Sequence, residues 1–309
     1  MKVSPIVLFT YKRLGTLKKT IATLSANELA AFSDLIVYSD GSKTSKDELI
    51  IAEIRAYLKT VSGFKTITIH ESPINKGLAN SIIEGVTDVI EQYGKVIVLE
   101  DDLIVSQNFL VFMNNGLDFY EQNQKVFSVS GYGLKVTLPK NYEYDVYFTP
   151  RGLSWGWATW KDRWTTIDWE VKDFEHLKTD KKAKQKLALG GTDLFPMLKK
   201  QMESNIDSWA IRWFYSQFKS NQLTVCPIHS KVQNNGFDSE ATHTNVYNRY
   251  KILFDSSNRQ NFIFSSNVEI NSKTLASFQS YFSFFSRIFY GRFISPFYKF
   301  KHNTYKKKN

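Results

Sequence analysis

Residues 95–106, KVIVLEDDLIVS, place three consecutive carboxylates, Glu100, Asp101 and Asp102, between two apolar runs. The four apolar residues 96–99 are typical of a strand that is covered on both faces of a parallel sheet. Carboxylates are rarely buried without a partner of opposite charge. We therefore expect a cation beside this acidic triplet.

Outward from the triplet, strand-like runs alternate with segments of helical periodicity. In chain order we predict a strand at 5–10, a helix at 14–31, a strand and turn at 34–42, a helix at 47–59, a strand at 65–72, a turn and helix at 75–94 and a strand at 95–102. This order predicts an α/β fold with a mostly parallel central sheet and helices on both faces. Ligands of such sheets bind beyond the carboxyl ends of the strands.

The predicted strand ends carry residues 10–13, 39–41, 71–76 and the triplet itself. Neither glycine-rich phosphate-binding pattern follows the first strand, so a phosphate loop at a helix terminus is not supported. The remaining way to hold a diphosphate is a divalent cation with oxygen ligands, such as Mg²⁺ or Mn²⁺. One carboxylate, phosphate oxygens and waters are enough for such an ion.

The net charge of +10 is concentrated at one end of the 309-residue chain. Residues 273–309 contain eight basic residues and no acidic one, while the rest of the chain carries only +2. This tail is also rich in Phe and Tyr, a composition that anionic bilayer surfaces attract. Its density of Phe is more apolar than a nucleic-acid stacking platform needs, so we do not expect a nucleic-acid partner. A helix packed on the core with a Lys-rich end is the alternative.

The single cysteine, Cys226, excludes an intrachain disulfide and a Cys-based zinc site. The apolar run at the N-terminus is shorter than the hydrophobic region of a signal peptide, so we expect a first strand and no signal anchor. No apolar segment approaches the ~18 to 20 residues that cross a bilayer.

Eight motifs carry a family resemblance when they are taken in their order along the chain. They resemble those of nucleotide-sugar-dependent glycosyltransferases of the GT-A fold, and more closely the Golgi N-acetylglucosaminyltransferase I group and its bacterial family 2-like relatives. The motifs are VLFTYKR (7–13), VYSDGS (37–42), NKGLANSI (75–82), VIVLEDDLIVSQNFL (96–110), VSGYG (129–133), LSWGWATW (153–160), IDSWAIRW (206–213) and NNGFDSEATH (234–243).

The resemblance implies donor-binding roles for several of these residues. Arg13 and Asp40 are expected on the uracil and ribose side of a UDP-sugar, with Lys76 near the same pocket. Asp102 is expected to bind the metal that bridges the two phosphates. Glu100 and Asp101 are expected to hold the sugar and the ribose.

The resemblance also places residues outside the triplet. Asp207 stands where such enzymes have the general base that deprotonates the acceptor hydroxyl, although Ser208 replaces the second acidic residue found in some relatives. His243 is expected near the diphosphate. Of the five tryptophans between residues 155 and 169, we expect only Trp155 to face the sugar, since core packing is the default for Trp. Arg151 is a candidate phosphate or acceptor contact.

These residues fit an inverting single displacement that uses Mn²⁺ or Mg²⁺. We expect one catalytic domain at residues 1–255, with a nucleotide-sugar half at 1–102 and an acceptor half at 103–255, and a C-terminal extension at 256–309. The expected acceptor is a lipid-linked glycan of a bacterial surface polysaccharide, on the cytoplasmic face of the membrane.

Other classes remain open on the residues alone. A sugar-phosphate nucleotidyltransferase uses a similar nucleotide and metal, but normally shows a glycine-rich signature after the first strand. A glycoside hydrolase needs two carboxylates and no nucleotide. A noncatalytic membrane-associated glycan-binding protein explains the tail, but it gives Asp207 and the triplet no role. Asp207 is also a candidate cap for the helix that follows it.

Overall fold

The computed structural model describes residues 3–235 and 250–283. The first four strands along the chain are β1 (Ile6–Thr10), β2 (Asp34–Ser39), β3 (Thr66–Glu71) and β4 (Lys95–Glu100). They are followed by β5 (Leu103–Val105), β6 (Val126–Ser130), β7 (Val146–Thr149), β8 (Trp157–Trp160), β9 (Leu223–Pro227) and β10 (Val232–Asn234).

Eight of these strands form the central sheet, in the order β3-β2-β1-β4-β8-β6-β9-β7. The first four are mutually parallel, β6 and β9 are also parallel, and β8 and β7 run antiparallel to their neighbours. The remaining two, β5 and β10, pair antiparallel in a small separate sheet. Because β1 to β4 are parallel neighbours, their carboxyl ends meet at one edge, which we call the carboxyl edge.

Helices cover both faces of the central sheet. They are α1 (Leu14–Ser25), α2 (Glu48–Leu58), α3 (Leu78–Tyr93), α4 (Phe109–Tyr120), α5 (Lys161–Trp164), α6 (Phe174–Thr179), α7 (Lys181–Leu187), α8 (Leu194–Met202), α9 (Trp209–Lys219) and α10 (Ser272–Tyr281). One core layer joins one sheet face to α1, α2, α4 and α10, and the other joins the opposite face to α3 and α5 to α9. The mixed, mostly parallel α/β architecture predicted from the sequence is confirmed.

The predicted elements of the first hundred residues are confirmed in type and order, but the first helix is shorter than expected. It ends at Ser25 rather than Ala31, and a 3₁₀ turn at Ala30–Phe32 follows. The side chain of Asn27 explains this end, because its amide donates to the carbonyls of Thr23 and Ser106 and accepts from the backbone N–H of Leu110. Through these bonds Asn27 joins the end of α1 to residues 106–110, and the helix does not continue past it.

Residues 250–283 pack against the body of the protein. Phe278 and Phe282 are buried in the core layer of α1 and α4, and the hydroxyl of Tyr120 donates to the carbonyl of Ser265. This packing is the alternative that the sequence offered for the start of the tail. Residues 284–309, with most of its charge, lie outside the described residues, and the boundary at residue 255 stays a prediction.

No helix in residues 3–235 and 250–283 has both the length and the apolar character needed to cross a membrane.

Candidate functional site

The acidic triplet marks the end of β4. Glu100 is the last residue of the strand, and Asp101 and Asp102 form the turn that leads into β5. Arg13, which follows β1 in the neighbouring position of the sheet, donates to both turn residues: Nη2 lies 2.7 Å from Asp101 Oδ1 and Nη1 lies 2.8 Å from Asp102 Oδ2. The cation expected beside the triplet is therefore present in the protein itself.

The carboxylate of Asp101 is fully occupied by hydrogen bonds from protein groups. Besides Arg13, its carboxylate accepts from the Thr10 hydroxyl at 2.8 Å and from the backbone N–H of Tyr11 at 3.2 Å. Its side chain is only 4% exposed. Burial raises the pKa of Asp101, and the charge of Arg13 opposes that shift. In this structure Asp101 holds the end of β1 against the end of β4, and its expected contact with sugar or ribose stays a prediction.

Glu100 has no hydrogen-bond or ion-pair partner among the described residues. Burial, reinforced by the charges of Asp102 and Asp101 and opposed by Arg13, raises the pKa of Glu100 to about 8. Three carboxylates thus share one guanidinium, and the Oδ1 of Asp102 is also without a protein partner in residues 3–235 and 250–283. The site has an excess of negative charge that a further cation would offset.

The oxygen atoms left over suit a hard divalent cation. Glu100 and Asp102 are the carboxylates that could hold it, since Asp101 is occupied. The described residues contain no group of three or more His, Cys, Asp or Glu side chains arranged to bind a metal. The arrangement therefore does not form a closed protein cage, but it fits Mg²⁺ or Mn²⁺ bound through one or two carboxylates, with waters and phosphate oxygens completing the shell.

Asp40, after β2, organises the turn at residues 75–77. Its Oδ1 accepts from the backbone N–H groups of Gly41 and Lys76, and its Oδ2 accepts from Asn75 Nδ2 and the backbone N–H of Gly77, at 2.8 to 3.0 Å. These four bonds fill the lone-pair directions of the carboxylate. Asp40 thus shapes the site in the structure, and its direct contact with uracil or ribose stays a prediction.

The two loops that Asp40 joins are in close contact. A Cβ atom at Gly41 would lie 2.4 Å from the carbonyl carbon of Ile74, so only glycine fits against this backbone. The N–H of Gly41 donates to the Ile74 carbonyl across the contact. The carboxyl ends of β2 and β3 are in this way fixed to each other.

A cavity of ≈430 Å³ opens at the carboxyl edge. Its volume lies in the range of small-ligand sites. It brings together Arg13, Asp40 and the complete triplet, as the positions of the strand ends predicted. It is lined by Phe9, Thr10, Tyr11, Lys12, Arg13, Tyr38, Asp40, Lys43, Asn75, Gly77, Leu78, Ser81, Glu100, Asp101 and Asp102.

Tyr11, Lys12 and Lys43 are among the lining residues that were assigned no role from the sequence. Tyr11 and Lys12 directly precede Arg13, and Lys43 comes two residues after Gly41. Their position just after predicted strands is the signal that would have found them. Lys76, in contrast, pairs through its ammonium with Glu84 and borders a neighbouring cavity of ≈410 Å³.

Asp207 lies just before α9, where Ser208 caps the helix by accepting from the backbone N–H of Ile211. The alternative that Asp207 caps this helix is therefore wrong. Its side chain is 65% exposed and lies 3.6 Å from Arg212.

The direction of α9 follows from two contacts. Near its start Trp209 stacks on Trp157, which pairs with Val98 close to the end of β4. Near its end Gln217 donates to the carbonyl of Thr149, which lies at the edge of the sheet opposite the carboxyl edge. The helix therefore begins toward the carboxyl edge, so Asp207 lies at the same edge as the acidic triplet.

The other expected contacts have different outcomes. Trp155 packs edge-on against Tyr132 and Tyr250 and does not line the cavity, so its expected contact with the sugar stays a prediction. The predicted contact of Arg151 with a phosphate or acceptor is wrong, because its side chain is buried in an ion pair with Asp193 at 2.7 Å. His243 lies outside the described residues.

No protein-family model matches the chain, and no curated protein matches it. Solved structures that are similar to it include the mannosyltransferase PcManGT from Pyrobaculum calidifontis in complex with GDP-Man and Mn²⁺, at 13% identity and a TM-score of 0.36, over 52% of this chain and 44% of that one. Residues 1–349 of S. aureus TarS match at 10% identity and a TM-score of 0.42, over 76% of this chain and 61% of that one. A second TarS structure matches at 11% identity and a TM-score of 0.36, over 73% and 35%.

Each match spans less than two thirds of the neighbouring chain. The resemblance to the N-acetylglucosaminyltransferase I group stays a prediction.

Proposed function

We propose that this protein is a metal-dependent glycosyltransferase that moves a sugar from a UDP-sugar to a hydroxyl group of a glycan acceptor. The observation that carries the proposal is the carboxyl edge, where the ends of β1, β2 and β4 surround a cavity with an excess of carboxylates over cations. A site with that charge and those oxygen ligands suits a nucleoside diphosphate that arrives together with a divalent cation.

The residues at the carboxyl edge have different roles in the proposed binding of the donor. Glu100 and Asp102 hold the cation through the carboxylate oxygens that have no protein partner. Arg13 and Asp101 keep the turn in place. Asp40 fixes the turn at residues 75–77, which forms one wall of the cavity. When bound, the cation offsets the negative charge that develops on the departing diphosphate.

Asp207 is the proposed base. Its exposed carboxylate accepts the proton of the acceptor hydroxyl, whose oxygen forms the new bond to the anomeric carbon as the bond to the diphosphate breaks. One such displacement inverts the anomeric configuration. The position of α9, which begins on the side of the sheet that carries the triplet, supports this role.

The acceptor is proposed to be a lipid-linked glycan of a bacterial surface polysaccharide, met at the inner face of the membrane. The support is the basic and aromatic composition of residues 273–309. Such a composition favours contact with anionic lipid.

The test is product analysis after incubation of the protein with a panel of UDP-sugars, a glycan acceptor and Mn²⁺. The proposal predicts release of UDP from one donor, and NMR of the transferred sugar should show inversion at the anomeric carbon. Release of pyrophosphate from UTP and a sugar phosphate would replace the proposal with a nucleotidyltransferase. Retention of configuration would contradict the single displacement.

A further inference from the structure

Three basic residues line the cavity at the carboxyl edge: Lys12, Arg13 and Lys43. Two of them are already paired with carboxylates of the protein. Arg13 is held by Asp101 and Asp102, and the ammonium of Lys12 lies 3.1 Å from Asp47. The ammonium of Lys43 makes no ion pair or hydrogen bond within residues 3–235 and 250–283. Of the cavity's described cations, Lys43 alone has its charge available to a ligand.

A side chain of the loop after β1 holds the backbone of Lys43 in position. Its N–H donates to the hydroxyl of Tyr11 at 3.1 Å, and that hydroxyl donates in turn to Asp47 Oδ2 at 2.9 Å. Asp47 also accepts from the hydroxyl of Thr44 at 3.2 Å. The loop after β2 is thereby tied to the loop after β1. A free lysine on a tied loop is better placed to bind a ligand than one on an unrestrained loop, because less conformational entropy is lost on binding.

We propose that Lys43 binds a phosphate group of a nucleoside diphosphate in this cavity. The inference rests on the proposed function and extends it by assigning a phosphate contact that was not expected from the sequence. The acidic triplet repels phosphate unless a metal lies between them, whereas the unpaired ammonium attracts it directly. Lysine serves as such a point charge for phosphate. Lys43 therefore distinguishes a nucleoside diphosphate from the bare nucleoside.

The test compares UDP with uridine, using Lys43→Gln and a matched control, Lys46→Gln. Lys46 is an exposed lysine three residues further along the chain that does not line the cavity. Both variants remove one exposed positive charge, so neither is expected to affect folding. Dissociation constants are measured in Mn²⁺ buffer, by calorimetry for UDP and by ligand-observed NMR for uridine.

Lys43→Gln should weaken UDP binding about tenfold, or about 1.4 kcal/mol, because the variant loses a charged donor to the phosphate. Uridine binding should be unchanged in this variant, and Lys46→Gln should bind both ligands as the wild type does. The inference is overturned if Lys43→Gln binds UDP normally, if uridine and UDP are weakened equally, or if Lys46→Gln has the same effect as Lys43→Gln.

The outcome is separable from the fate of the proposed function. UDP binding that depends on Lys43, in a protein that transfers no sugar, would support the phosphate contact and contradict the glycosyltransferase. A wild-type protein that binds no UDP in the presence of Mn²⁺ would overturn both.

Discussion

Arg13 determines the geometry of the acidic turn. Its two Nη atoms bind one oxygen each of Asp101 and Asp102, so one side chain fixes the relative orientation of both carboxylates. The pKa of Arg13 is raised by these neighbouring charges, although burial acts in the opposite direction. Arg13 is thus a positioning residue in the structure, whatever contact it makes with a bound donor.

Arg13→Ala should lower the free energy of unfolding by about 3 kcal/mol, because it leaves Asp101 buried without its cation. Denaturation by urea at pH 7 measures the change. Lys12→Ala is the control, since Lys12 is exposed and should leave stability close to that of the wild type. An Arg13→Ala protein as stable as the wild type would show that the buried carboxylates do not depend on this cation.

A second buried pair, Lys231 and Asp255, gives the stability a pH dependence. Burial alone raises the pKa of Asp255, but hydrogen bonds from Lys231 and Ser257 outweigh it and hold the pKa below its ordinary value. The unfolded state therefore binds a proton more readily than the folded state. The contribution of Asp255 is present above about pH 4 and is lost as the pH falls below it.

Asp255→Asn should therefore destabilise the protein most at neutral pH, with a smaller difference from the wild type below about pH 4. Denaturation curves for both proteins between neutral and acidic pH measure that difference. A difference that stays constant over this range would mean that the ionised form of Asp255 contributes nothing to stability.

At the scale of single elements, the two residues before α9 are a helix cap, Ser208, and the proposed base, Asp207. Ser208 caps the helix, whereas Asp207 is exposed and, within residues 3–235 and 250–283, makes one ion-pair contact, 3.6 Å from Arg212. Removing the cap should affect folding, and removing the carboxylate should affect chemistry.

Ser208→Ala should cost about 1 kcal/mol of stability through loss of the cap. Asp207→Asn should leave stability and donor binding near the wild type and abolish sugar transfer. Thermal unfolding and UDP release in the presence of acceptor check the two halves of this prediction. Undiminished turnover in Asp207→Asn would exclude it as the base.

The elements at the carboxyl edge were predictable because β1 to β4 alternate with helices and their ends carry polar residues. The connections between loops were not. The bonds of Asp40 to residues 75–77, the hydrogen bond between Tyr11 and Asp47, and the pairing of Arg151 with Asp193 join residues far apart in sequence. No periodic pattern encodes such pairs. Arg151 was misjudged for this reason, since only the fold reveals its buried partner.

At the scale of the whole molecule, a parallel half and a mixed half share one sheet. The parallel half supplies the cavity, and the mixed half supplies α9 and the packing site of α10. Because Phe278 and Phe282 belong to the core, the described C-terminal helix is part of the body. Any separable tail must start after it.

A chain that ends at Ser283 should fold normally and lose its sedimentation with phosphatidylglycerol vesicles. It retains Phe282 but lacks seven of the basic residues of the tail, namely Arg287, Arg292, Lys299, Lys301, Lys306, Lys307 and Lys308. Neutral phosphatidylcholine vesicles are the control for nonspecific adsorption. Equal sedimentation of the shortened and full chains with anionic vesicles would exclude the tail as the membrane contact.

In the proposed function, the carboxyl edge binds a nucleotide-sugar through a divalent cation. Calorimetric titration of UDP-sugars into the protein, with and without Mn²⁺, measures this binding. We expect one donor to bind only when Mn²⁺ is present, and Asp102→Ala to abolish this binding while the protein stays folded. Binding of no UDP-sugar in the presence of Mn²⁺, or metal-dependent binding that Asp102→Ala leaves intact, would contradict it.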